Sequence, residues 1–305
     1  MASAMFFGTG TALVTPFNEG GVDYSSLSAL IETQIEGGVD FLVVLGTTGE
    51  APAISPDERR KIINFSLRKT AGRLPVVVGT GGNDTARVIE SCLEAKSLGA
   101  AGALVVTPYY NKPTQEGLFR HYKAVSEAAD FPLITYNVPG RTGVNMLPET
   151  TVRLAKIANI AGIKEACGNI GQADEIIMAL RGVRGDFAVL SGNDDQAFHM
   201  INSGGHGVIS VLSNIAPKLV SQMVSAARAG DVAASRELHL TLFPLMKSLF
   251  SETNPIPVKY ALSSLGICEN RLRLPLVEAS RRCMERVDFD MASCGLFPAL
   301  ERIAG

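Results

Sequence analysis

A short apolar, β-branched run, then small or turn-forming residues, then an amphipathic stretch: this unit recurs eight times along the chain. The runs fall at residues 11–14, 41–45, 76–79, 103–107, 133–136, 161–164, 188–191 and 208–211. Runs so short and so uniformly apolar read as strands buried on both faces, which is the habit of parallel sheet. The stretches at 25–36, 56–70, 85–97, 115–128, 148–155 and 216–229 read as helices, with Pro56, Pro148 and Pro217 near their starts and Gly37, Gly72, Gly99 and Gly230 near their ends, the expected terminal asymmetry. Eight strand–helix units predict an α/β fold closed as a (β/α)8 TIM barrel. A doubly wound open sheet would want a glycine-rich dinucleotide turn, and GTGGND at 79–84 lacks the third glycine. Residues 1–230 therefore read as the barrel. Residues 231–305, broken at Pro255, Pro257, Pro275 and Pro298, read as a C-terminal helical appendage without chemistry of its own.

At 305 residues, 46% of them hydrophobic, the chain can bury one large core. Its net charge of -2 comes without acidic or basic blocks, which argues against nucleic acid and anionic membranes as partners and for small neutral or acidic metabolites. The five cysteines are scattered and never in CxxC spacing, so reduced thiols of a cytoplasmic protein are expected, with neither a disulfide framework nor a zinc site. The histidines His121, His199, His206 and His239 form no HExxH-type pattern, and no metal is expected. The start MASAMFFGTGTALVTPF lacks the basic region of a signal peptide, and no apolar run is long enough to span a membrane.

In such a barrel the site lies where strands end and the following loops begin. The sixth run ends in Lys164, within NIAGIKEACGN. Burial favours the neutral amine, which attacks carbonyl carbon to form a Schiff base; a strand-end lysine with its head in water or paired to Glu165 is the plain alternative. The loop GTTGE at 46–50 offers two hydroxyls and close backbone N–H groups, suited to a small carboxylate or to capping a helix. TPYYNKP at 107–113 carries paired tyrosines. YNVPGRTG at 136–143 places the phenol of Tyr136 at a strand end and Arg141 on the next loop; a phenol can relay protons and a guanidinium can grip a carboxylate.

These motifs, with GIKEA and GHGVISV in the same order, resemble the dihydrodipicolinate synthase family of pyruvate-dependent class I aldolases and lyases, from Thr15-Pro16 through NPIPVK at 254–259. The resemblance implies condensation of pyruvate with aspartate 4-semialdehyde, without a cofactor, through a Schiff base on Lys164. It implies that Tyr136, Thr47 and Tyr110 relay protons, Tyr110 reaching in from a neighbouring subunit of a homo-oligomer, a dimer or homotetramer. Thr48 would hold the pyruvate carboxylate, the Ile209 carbonyl would touch pyruvate, and Arg141 would bind the semialdehyde's carboxylate. One departure is Gly192-Asn193-Asp194, where the family more often has GDD. In members inhibited by lysine, a serine, two histidines, a glutamate, an asparagine and a tyrosine surround the inhibitor at a subunit interface. Here Ala51, Pro56, Arg59 and Arg87 stand at the first four and Asn83 and Tyr109 remain, so insensitivity to lysine is expected. The alternatives are another Schiff-base aldolase, such as an N-acetylneuraminate or keto-deoxy sugar acid lyase, a phosphate-binding barrel isomerase, and a non-catalytic pyruvate or amino-acid sensor.

Overall fold

The computed structural model describes residues 4–296. Eight parallel strands close into a barrel in chain order: β1 (Gly8–Ala12), β2 (Phe41–Val44), β3 (Val76–Gly79), β4 (Gly102–Val106), β5 (Leu133–Asn137), β6 (Ile160–Glu165), β7 (Ala188–Ser191) and β8 (Gly207–Ser210), with β1 pairing β8 on one side and β2 on the other. The first strand begins three residues before the expected run. At Gly8 and Gly10 the Asp40 carboxylate and the Phe41 ring occupy the space that side chains would need.

The outer layer is formed by α1 (Tyr24–Glu36), α2 (Pro56–Thr70), α3 (Thr85–Ser97), α4 (Gln115–Ala129), α5 (Pro148–Ala155), α6 (Ile170–Leu180), α7 (Asp194–Asn202) and α8 (Pro217–Arg228). Their starts are chemically marked. Ser55 and Glu58 form a reciprocal capping box at α2, while Asp84 and Thr114 accept backbone N–H groups at α3 and α4. Helices α6 and α7 were not among the stretches singled out from sequence.

Alternation along the strands divides the apolar residues into two cores. Phe41, Val43, Val77, Leu104 and Ile134 fill the barrel, and the outward residues pack under the helices. In β6 the alternation is broken on purpose. Leu133 of β5 pairs Ile160 but the next residue, Ile134, pairs Gly162, so one extra residue is bulged out and Lys164 comes to face Tyr136. Strict alternation from the outward Ile160 would have turned Lys164 out among the helices.

Beyond the barrel follow α9 (Val232–Ser248), α10 (Ile256–Ser264) and α11 (Arg281–Ser293). Helix α9 packs on α7 and α8, and α11 packs on α9 and α10. The expected break at Pro298 lies outside the described residues.

Candidate active site

Lys164 and Tyr136 are ladder partners at the carboxyl ends of β6 and β5. The Lys164 Nζ stands 4.5 Å from the centre of the Tyr136 ring. Lys164 is 5% exposed and sits in a cavity of about 170 Å³, whose walls include Thr47, Thr48, Arg141, Gly192 and Asn254. Burial draws its ammonium down from the usual 10.5 to about 8; Asp194 pulls the other way and Arg141 adds to the fall. About a tenth of the amine is then neutral at pH 7, against roughly one part in a few thousand for a free lysine.

Burial raises the Tyr136 phenol above its ordinary value, while the Arg141 charge and the Thr47 hydroxyl draw it back. Thr47 lines both this cavity and a larger chamber of about 590 Å³ that opens past Ala51, Tyr109 and Leu274. Thr48 is buried, and its hydroxyl accepts the Asn254 side-chain N–H at 3.0 Å. Arg141 lies on the short helical turn Pro139–Thr142 and donates to the Asn254 carbonyl at 3.1 Å. One residue of the appended region thus fastens two sides of the site.

Two expected positions stand apart from this group. Tyr110 is 89% exposed, with a backbone φ of 73°, and is absent from the walls of its own chain's cavity; Tyr109 lines the larger chamber. Ile209 is fully buried on β8 opposite Gly10, and Val211 is the nearby residue that lines the lysine cavity.

Three features were not read from sequence. Asn254 opens the NPIPVK motif in the appended region, and its bonds to Thr48 and Arg141 tie that region to the site. Asp194 begins α7 beneath the lysine, fully buried. Glu50, at the end of the GTTGE loop, forms a buried ion pair with Lys259 of α10 at 2.5 Å. Among the described residues no cluster of three or more His, Cys, Asp or Glu could hold a metal ion, and no helix is long and apolar enough to cross a membrane.

The model of the dihydrodipicolinate synthetase family matches residues 5–292. The chain belongs to that family. A 4-hydroxy-tetrahydrodipicolinate synthase of Kosmotoga olearia is 55% identical over 292 residues, covering 96% of this chain and 99% of the relative. Among solved structures, the dihydrodipicolinate synthase of Thermotoga maritima superposes with a TM-score of 0.94 at 51% identity, covering 96% of this chain and all of that one. A monomeric dihydrodipicolinate synthase variant gives the same TM-score at 50% identity, with 96% and 98% covered.

Proposed function

We propose that this family member condenses pyruvate with aspartate 4-semialdehyde to give 4-hydroxy-tetrahydrodipicolinate. The observation that carries the reading is the buried Lys164 amine, lowered to about 8 and set against Tyr136. The neutral Nζ adds to C2 of pyruvate, and loss of water leaves an iminium. The iminium draws in the electrons of a C3–H bond as that proton leaves, giving an enamine whose C3 attacks the aldehyde carbon. The substrate's own amine then attacks C2, displaces Lys164 and closes the ring.

In this scheme Tyr136 and Thr47 move the protons, with Tyr110 joining them from a second copy of the chain. The exposure of Tyr110 supports that role, since its ring projects away from its own cavity. Thr48 holds the pyruvate carboxylate, the Ile209 carbonyl faces bound pyruvate, and Arg141 grips the semialdehyde's carboxylate. No cofactor enters, because the covalent imine supplies the electron sink. The assembly is a homo-oligomer, a dimer or tetramer, acting in the cytoplasm, with residues 1–230 as its catalytic barrel and 231–305 as its C-terminal helical region.

Pyruvate plus borohydride should leave one reduced adduct on Lys164 and abolish activity, and Lys164→Arg should form none because arginine stays protonated. An adduct elsewhere, or none, overturns the reading. A coupled assay with pyruvate and each candidate aldehyde separates this reaction from the sugar acid lyases. Arg141 favours the synthase, whose second substrate carries a carboxylate at that point.

A further inference from the structure

Asp194 is a second buried charge under the Lys164 cavity, and nothing in the chemistry above uses it. One carboxylate oxygen, Oδ2, accepts the Val211 N–H at 2.9 Å and the Leu212 N–H at 3.0 Å, tying the start of α7 to the turn after β8. The other, Oδ1, is buried without a hydrogen-bond partner. An orphaned carboxylate oxygen is expensive in the fold, so something else must offset it.

The surroundings say what. Gly192, two residues earlier, packs so closely on Lys164 that an added Cβ would stand 3.0 Å from the lysine Cε. Gly192, Asn193 and Val211 line the same cavity as Lys164, so Asp194 is anchored to both sides of that cavity's floor. The charged and titratable groups facing Lys164 are Tyr136 from β5, Arg141 from the turn after it and Asp194 from α7. Arg141 is positive and Tyr136 is neutral, and Glu165 beside the lysine on β6 is bonded to Asn137 and Gln172, which leaves Asp194 as the carboxylate facing the lysine. Burial raises its carboxyl above the ordinary range, while the Ser210 hydroxyl, the Leu212 and Val211 N–H groups and the Lys164 charge draw it back. Asp194 itself faces Lys164 and, from β8, the Ser210 hydroxyl. Its neighbour Asp195 instead meets Lys247 at 3.1 Å.

Imine formation changes the charge at this spot. A neutral amine, a ketone and one proton become an iminium cation and water: the nitrogen lone pair forms the bond to carbon, and the carbonyl oxygen leaves with two protons, one from the amine and one from the medium. The cation gives up its charge when the C3 proton leaves to form the neutral enamine, and regains it as the enamine C3 bonds to the aldehyde carbon. Next to Arg141 it needs a fixed counter-charge.

We propose that Asp194 is a positioning residue that supplies this counter-charge, while its bonds to Val211 and Leu212 hold the floor beneath the imine. The inference rests on the reading of Lys164 as the Schiff-base lysine. The test is Asp194→Asn, which keeps an oxygen for the two backbone N–H groups and removes the charge. The acid limb of kcat/KM for pyruvate, set by loss of the Lys164 proton, should move to lower pH by about one unit, since an adjacent anion no longer favours the cation. Turnover at saturating substrates should fall about tenfold or more, one pKa unit of lost stabilisation being a factor of ten, while borohydride still traps pyruvate on Lys164.

An unmoved limb with turnover retained overturns the inference alone, whatever happens to the melting temperature. A wild-type enzyme that forms no adduct on Lys164 overturns the underlying reading and this inference with it. Should Asp194→Asn fail to fold, Ser210→Ala decides. With the Ser210 hydroxyl dipole gone from beside it the carboxylate binds a proton more readily, so the limb should move the same way by a smaller step, and an unmoved limb overturns the proposal.

Discussion

At Arg141 one guanidinium nitrogen is held by the Asn254 carbonyl, so the rest of the fork is presented to the cavity in a fixed pose. If it grips the semialdehyde, Arg141→Ala should cost about 1.5–3 kcal/mol in use of that substrate, the worth of a hydrogen bond to a charged group. Imine formation with pyruvate, followed by borohydride trapping, should survive, and equal damage to both steps would show a structural role. That Lys164, Tyr136, Thr47, Thr48 and Arg141 gather around one cavity was legible in sequence, because each lies at or just beyond a strand's end. Asp194 and Asn254 were not. A buried aspartate at a helix start looks like any other first-turn acid, and the partner of Asn254 is 206 positions away.

Among the elements, α2, α3 and α5 were legible to the residue, because caps and prolines are local signals. The bulge in β6 was not, since it exists only relative to β5. It depends on Gly162, where a Cβ would stand 2.5 Å from the Ala188 carbonyl oxygen. Gly162→Ala should therefore cost about 1–3 kcal/mol of stability by overpacking and lower kcat by misaiming Lys164; denaturant melts and turnover measured together check it. A pH effect belongs to the packing of α4 on α3. There His121 Nδ1 meets the Thr85 hydroxyl at 2.9 Å, Nε2 is buried without a partner, and burial holds the imidazole down to about 4. The unfolded chain, titrating near 6.5, binds the extra proton first. Stability from this group is complete above about 6.5 and declines as pH falls toward 4, by up to about 3 kcal/mol. Urea melts at pH 5 and pH 7 should show the loss, and His121→Leu should flatten it.

At the scale of the molecule, the Glu50–Lys259 pair joins the GTTGE loop to the appended helices. Lys259 also donates to the Arg271 carbonyl, and the Arg273 N–H donates to Glu50. Removing one charge, as in Lys259→Met, should destabilise by about 3–5 kcal/mol and loosen Thr48; replacing both with apolar residues should cost less, a contrast that thermal melts of the two variants resolve. The arginine that the resemblance sets in place of an inhibitor-binding glutamate bears on regulation. Arg87 is 85% exposed and meets Asp84 at 3.7 Å, and a guanidinium facing a cationic inhibitor is repulsive. Turnover should therefore be unaffected by millimolar lysine, and half-inhibition below about 1 mM, roughly -4.1 kcal/mol of binding, would show that Arg87 does not face that ligand.

The bond between Asn254 and Thr48 also sets an order in time. At the roughly 5–20 residues per second of a ribosome, about 10–40 seconds separate the synthesis of the threonine from that of its partner, a gap of 206 positions. Throughout that interval Glu50 has no Lys259 to neutralise it. A nascent barrel can hold its lysine in place and still lack the bond that fixes Thr48, so this wall of the cavity is set only when the polypeptide is nearly finished. The last wall to be fixed is the one that the appended region fastens to the loop after β2.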